Sequence, residues 1–136
     1  MNHNKNLSIV ISCIDYRFWT ETLPLFRKKY GDFDLISMAG ASKNLISPAE
    51  PEDKIALIKN VKTSIELHDP KRIILTNHLD CGAYGGSKKF NSENEEIEFH
   101  KNELLKAKEV IQKEFPEMLI ETEFISKNEK GEIILL

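Results

Sequence analysis

The order of elements predicts an α/β chain with a parallel sheet and an antiparallel C-terminal edge strand. Three observations carry that expectation. The run Leu7–Ser12 is β-branched and almost continuously apolar, as in a strand buried on both faces. Two further short runs of the same kind, Phe33–Met38 and Arg72–Thr76, are each preceded by a stretch of helical character. The last two runs, Met118–Ser126 and Glu132–Leu136, are joined by Asn128–Gly131, a hairpin-type connection.

Each element follows in order. Thr20–Tyr30 reads as a short helix with Leu23 and Phe26 toward the core, stopped by Gly31. Ala39–Ser42 is a tight turn after the second strand, and 44–52, with two prolines, reads as a loop. Pro51, Glu52 and Asp53 open a helix that runs to His68, with Ile55, Ile58, Val61 and Ile65 at helical spacing. Asp69-Pro70 breaks it. After the third strand come Gly82, Gly85 and Gly86, then a polar loop over Ser87–Asn94. Glu95–Phe115 reads as a long amphipathic helix with Ile97, Leu104, Ile111 and Phe115 on one side, ended by Pro116.

At 136 residues the chain reads as one domain, 1–136, with no internal repeat and no linker. A net charge of −3 gives no basic footprint for nucleic acid, and Lys88-Lys89 reads as a solvated pair. No apolar stretch approaches the roughly 20 residues that span a bilayer. Leu7–Ile11 is too short for a signal-peptide core. Two cysteines without an export signal argue for a reducing cytoplasm, where thiols serve metals or catalysis rather than a disulfide scaffold.

Both cysteines fall just beyond apolar strands. Cys13 stands in Ile-Ser-Cys-Ile-Asp-Tyr-Arg, and Cys81 three residues after His78 in Asn-His-Leu-Asp-Cys-Gly. Alone, Cys13 reads as a small buried hydrophobe and His78 as a loop histidine. Together they supply two thiolates and an imidazole, three zinc ligands that leave the fourth position open, the mark of a catalytic rather than a structural site. Residues 13, 15 and 17 alternate with period two, so an extended chain points Cys13, Asp15 and Arg17 the same way. Arg17 is then expected to keep Asp15 ionised and oriented through a charge-assisted hydrogen bond, either as a simple structural ion pair or as a pair serving the site beside Cys13. The spacing of His78 and Cys81 suits a tight turn or a first helical turn, where a helix N-terminus favours the thiolate. Gly82 is expected to let the backbone pass close to the metal, and Asp80 to point away and cap the turn. Tyr16 and Trp19 either line a pocket or pack in the core. His3, His68 and His100 read as surface or core residues. The Gly85-Gly86 pair lacks a dinucleotide pattern.

Cys13-x-Asp15-x-Arg17 followed by His78-x-x-Cys81-Gly82 resembles the paired signature of the β-class carbonic anhydrases. Met38-Ala39-Gly40-Ala41 and the closing hairpin from Glu123 onward are similar to further features of that family. The resemblance implies a sheet of order 2-1-3-4 with the antiparallel edge strand beyond it and helices on both faces. It implies one Zn²⁺ per chain on Cys13, His78 and Cys81, with Asp15 and Arg17 as a dyad beside it. It further implies reversible hydration of CO2 to bicarbonate by zinc-bound hydroxide in a homodimer or higher homo-oligomer. Because two thiolates cancel the zinc charge and acidify its water less, activity is expected to be better on the alkaline side. The family's N-terminal arm has no counterpart in the six residues before the first strand, and Asn4 stands about where its pocket glutamine would fall. Two alternatives remain open: a zinc protein of this kind acting on another small electrophile (CS2 or COS) or on none, and a metal-free thiol switch pairing Cys13 with Cys81.

Overall fold

The computed structural model describes residues 6–136, so His3 and Asn4 lie outside the described residues. The elements in order are β1 (Ser8–Ser12), α1 (Tyr16–Tyr30), β2 (Phe33–Ser37), α2 (Lys43–Ile46), α3 (Pro51–His68), β3 (Arg72–His78), α4 (Glu93–Glu114), β4 (Leu119–Lys127) and β5 (Ile133–Leu135). The five strands form one sheet in the order β2-β1-β3-β4-β5. All pairings are parallel except β4 with β5, which is antiparallel. The expected α/β layout and strand order are therefore those of the molecule.

Side-chain alternation along the central strands divides the core in two. Ile9, Ile11, Ile73, Leu75 and Phe124 face Leu57 and Val61 of α3 and Leu104, Ala107 and Ile111 of α4. Val10, Ile74 and Ile125 face the other way, onto Phe18 and Phe26 of α1. Helices thus cover both faces, which is why β1 and the middle of β3 are apolar at consecutive positions. Fully burying each large aliphatic or aromatic side chain contributes about 1.5–3 kcal/mol.

Several boundaries differ from the sequence reading, each for a local reason. The first helix starts at Tyr16 rather than Thr20, because Asp15 caps it: its carboxylate accepts the Arg17 N–H. Within α1, Phe18, Thr22 and Phe26 are the buried positions. The stretch read as a loop before Pro51 contains the short helix α2, anchored by the buried Asn44 amide donating to the Ala39 and Ala41 carbonyls. In α3 the start at Pro51 is as expected, fixed by a capping box between Glu50 and Asp53. Ile55, however, is 65 % exposed, and Leu57, Val61 and Ser64 form the buried line. The third strand continues two residues past Thr76 to include His78. Ser92 caps α4 by accepting the Glu95 N–H, so that helix begins at Glu93. No helix among the described residues is long and apolar enough to cross a membrane.

Candidate metal centre

β1 and β3 are neighbours at the middle of the sheet, with β2 outside one and β4 outside the other. Strand order reverses there, and the crevice beyond their carboxyl ends is where such sheets place ligands. Cys13 follows β1, His78 ends β3, and Cys81 lies three residues on. The two sulfurs and a ring nitrogen of His78 all lie within 4.8 Å of one another, and the three residues are buried. The topology brings together groups that stand far apart in the sequence.

The ring of His78 is oriented from two sides. Phe18 stacks on it with ring centroids 4.3 Å apart. Its Nδ1 lies 2.7 Å from the Leu79 carbonyl oxygen. A carbonyl only accepts, so Nδ1 carries the proton and Nε2 holds the free lone pair. That Nε2 is buried and has no hydrogen-bond partner in the protein. An orphaned imidazole lone pair beside two thiols is the donor set that zinc prefers, and the residues present fit that ion.

The two cysteine thiols perturb each other. The hydrogen bond from the Cys81 thiol draws the Cys13 thiol well below the ordinary range, helped by the Gly40 N–H, which donates to Cys13 Sγ at 3.4 Å. The same bond, with burial, raises Cys81. A cation bound by both sulfurs would need them as thiolates and would displace the protons they carry. Cys81 precedes a single 3₁₀ turn, Gly82–Tyr84, instead of opening an α-helix. A β-carbon at Gly82 would meet no protein atom within 4 Å apart from its neighbours in the chain.

Asp15 and Arg17 are brought together by the helix start, not by an extended strand. Arg17 donates from Nη2 to Asp15 Oδ2 at 2.6 Å, and from Nε to both carboxylate oxygens at 3.1 Å. These bonds hold the Asp15 carboxyl below the usual carboxylate range. Asp15 Oδ2 lies 3.8 Å from His78 Nε2, beside the three-atom cluster. All five residues singled out in the sequence therefore converge.

Asp80 caps a turn as expected, accepting the Ser87 N–H, but it also pairs with Arg17 at 2.9 Å. Tyr16 and Trp19 do not pack in the core; they are 74 % and 41 % exposed. His68 pairs with Asp34 at 2.7 Å, away from the cluster. His100 is fully buried, next to Asn77 and Tyr84. Glu96, buried beneath the segment that follows His78, is a residue that the sequence reading missed. Its signal was present, since Glu96 shares one helix face with His100, Leu104, Ala107 and Ile111. An open cleft of about 450 Å³ beside the cluster is lined by Arg17, Asp80, Gly82, Gly85, Gly86 and Lys88.

A family model described as "Putative carbonic anhydrase" matches residues 3–135. An uncharacterized protein of Rickettsia bellii is 31% identical over 125 residues, which are 88% of this chain and 76% of the relative. Another, of Rickettsia conorii, is 32% identical over 125 residues, 88% of this chain and 67% of the relative. Among solved structures, a tetrameric β-carbonic anhydrase of Sordaria macrospora superposes with a TM-score of 0.64 at 14% identity, covering 99% of this chain and 82% of that one. A carbonic anhydrase from Glaciozyma antarctica gives 0.59 at 16% identity, over 99% and 83%. These distant structures establish the fold. The family match spans nearly all of the chain, and the chain belongs to this carbonic anhydrase family, on a β-carbonic anhydrase fold.

Proposed function

We propose that the chain is a zinc-dependent carbonic anhydrase that hydrates CO2 to bicarbonate, with Cys13, His78 and Cys81 holding the metal. The observation that carries this reading is the buried, unpartnered Nε2 of His78 converging with two thiols beside an arginine-held carboxylate. Zinc, when bound, supplies Lewis acidity that turns water into a nucleophile near neutral pH. The two thiolates offset its charge, which supports activity that rises toward alkaline pH.

The protein groups divide the remaining work. As ligands Cys13 and Cys81 must both be thiolates, so binding the cation releases protons from them. Asp15, kept ionised by Arg17, is an acceptor next to the donor set, able to orient the attacking water by taking a hydrogen bond from it. Arg17 also holds the Asp15 oxygens away from the metal position, since its guanidinium bonds both of them. CO2 gains the water oxygen, bicarbonate leaves, and one proton passes to solvent. Lys88 lines the adjacent cleft and offers positive charge to an anionic product, the charge of Arg17 being offset by Asp15 and Asp80.

Homo-oligomerisation belongs to the same reading. The similar Sordaria macrospora enzyme is a tetramer. Here Ile14, Tyr16 and Trp19 expose apolar surface directly after Cys13, which supports burial against a second copy.

The test is zinc content per chain followed by stopped-flow CO2 hydration at pH 7 and pH 8.5. One zinc per chain with hydration faster at pH 8.5 is the expected result. Full zinc without hydration at either pH would overturn CO2 as substrate and favour another small electrophile.

A further inference from the structure

The segment carrying His78 and Cys81 is gripped at Asp80, midway between them. Every polar group of Asp80 has a partner. Arg17 donates from Nη1 to Oδ2 at 2.9 Å and from Nη2 to the carbonyl oxygen at 3.0 Å. The Ser87 N–H donates to Oδ1 at 2.7 Å. The Asp80 N–H donates to Glu96 Oε2 at 2.7 Å. Asp80 holds this place at a φ of +57°, in the left-handed region. That conformation is unfavourable for a residue with a β-carbon. A backbone rotation at Asp80 would swing Cys81 relative to His78.

Glu96 reaches the segment from the first turns of α4, which starts after the ligand loop has closed. Its side chain is buried, at 1 % exposure, on the same helix face as Leu104 and Ile111. An apolar side chain would suit that face better, since a buried carboxylate is unfavourable unless its oxygens are bonded. Both are: Oε2 accepts the Asp80 N–H, and Oε1 accepts the Ser87 hydroxyl at 2.8 Å. The two donors belong to the two ends of the loop 80–87, and one carboxylate closes it.

We propose that Glu96 is a positioning residue that sets the His78–Cys81 ligand loop by bonding the Asp80 N–H and the Ser87 hydroxyl. The proposal rests on the reading of His78 and Cys81 as metal ligands. Glu96 does not reach the metal position itself; it fixes the backbone from which two ligands project, as outer hydrogen bonds do in metal sites generally.

Two substitutions in the full chain separate position from charge. Glu96→Ala removes both bonds. Glu96→Gln keeps an oxygen for the Asp80 N–H and an amide for the Ser87 hydroxyl oxygen. In chelator competition, Glu96→Ala is expected to bind zinc about 10–100-fold more weakly. Its cobalt-substituted form should show shifted visible bands, reporting an altered ligand geometry, and Glu96→Gln should recover most of both properties. A purely structural role would lower the melting temperature of the metal-free protein yet leave zinc affinity and the cobalt spectrum at wild-type values, and that result overturns the proposal. Should Glu96→Ala not fold, Ser87→Ala removes one donor and is expected to give a smaller loss of affinity in the same direction; unchanged affinity overturns it. If the wild-type chain takes up no zinc, the functional reading fails separately. Amide exchange in the metal-free protein then decides: acceleration confined to residues 79–88 in Glu96→Ala upholds the loop-setting role, and unchanged exchange there rejects it.

Discussion

His78 Nδ1 lies 2.7 Å from the carbonyl oxygen of Leu79, and this contact fixes which ring nitrogen is free. The neutral ring should carry its proton on Nδ1. Long-range nitrogen-15 NMR of the metal-free protein is expected to show that tautomer for His78, with zinc adding at Nε2. Observation of an Nε2-protonated ring in the metal-free protein would remove the orienting role of Leu79.

Cys13 and Cys81 are both free and buried. If one zinc takes both sulfurs, a thiol reagent should find none reactive in the loaded protein and two after chelation. Cys13→Ser should lose the metal at chelator concentrations that wild type survives. Rapid formation of an intramolecular disulfide in the zinc-loaded chain would instead favour the thiol switch.

Asp15 has two separable duties: it caps α1 through the Arg17 N–H, and it presents an ionised oxygen beside His78. Asparagine caps helices about as well as aspartate, whereas alanine at an N-cap costs roughly 1 kcal/mol. Asp15→Asn should therefore melt near wild type and keep zinc while CO2 hydration falls by about 100-fold or more, in line with loss of the ionised acceptor that orients the water. Asp15→Ala should lose activity and stability together. Wild-type turnover in Asp15→Asn would exclude the dyad role.

The turn after β2 touches the cluster of Cys13, His78 and Cys81 at Gly40, whose φ is +82° and whose N–H donates to Cys13 Sγ. A β-carbon there would meet Ala83 Cβ at 3.1 Å and Lys43 Cβ at 3.3 Å. Ala83 lies two residues beyond Cys81, so the crowding falls on the segment that carries Cys81. Gly40→Ala should destabilise by about 1 kcal/mol or more through the left-handed backbone alone. It should also weaken zinc binding, measured by chelator competition, which a remote glycine-to-alanine change would leave intact.

What was legible in the sequence was carried by patterns local to a few residues. The β-branched runs announced the strands, and the two short motifs at strand ends announced the cluster, because a parallel sheet gathers those ends in one crevice. Asp15 illustrates a conflict between two local signals. The period-two spacing of 13, 15 and 17 favoured an extended chain, while an aspartate ahead of a helix favoured a cap; the cap prevailed. The short α2 gave no signal, since a helix of four residues is too short to show a period. Glu96 and Asp80 were invisible as partners for another reason. Their bond depends on how α4 docks over the loop, although the burial of Glu96 could have been read from its helix face.

The same helix face carries a group that should set the acid limit of the fold. His100 is fully buried, its Nδ1 lies 3.2 Å from the Asn77 side-chain amide, and Phe124 stacks on its ring. An amide N–H only donates, so Nδ1 accepts and Nε2 carries the proton of a neutral ring. Burial, aided by nearby His78, lowers its pKa from 6.5 to about 4. The unfolded chain then takes up a proton below about pH 6.5 that the folded chain refuses until about pH 4, so this contribution is lost as pH falls through that window. Between pH 7 and pH 5 the loss is about 2 kcal/mol. Urea midpoints of the chelated protein at the two pH values should show it. The comparison is with His100→Phe, which cannot titrate: its own drop between pH 7 and pH 5 should be smaller by about that amount, whatever its starting stability. Equal drops in the two proteins would place the acid sensitivity in other groups and leave His100 with a packing role alone.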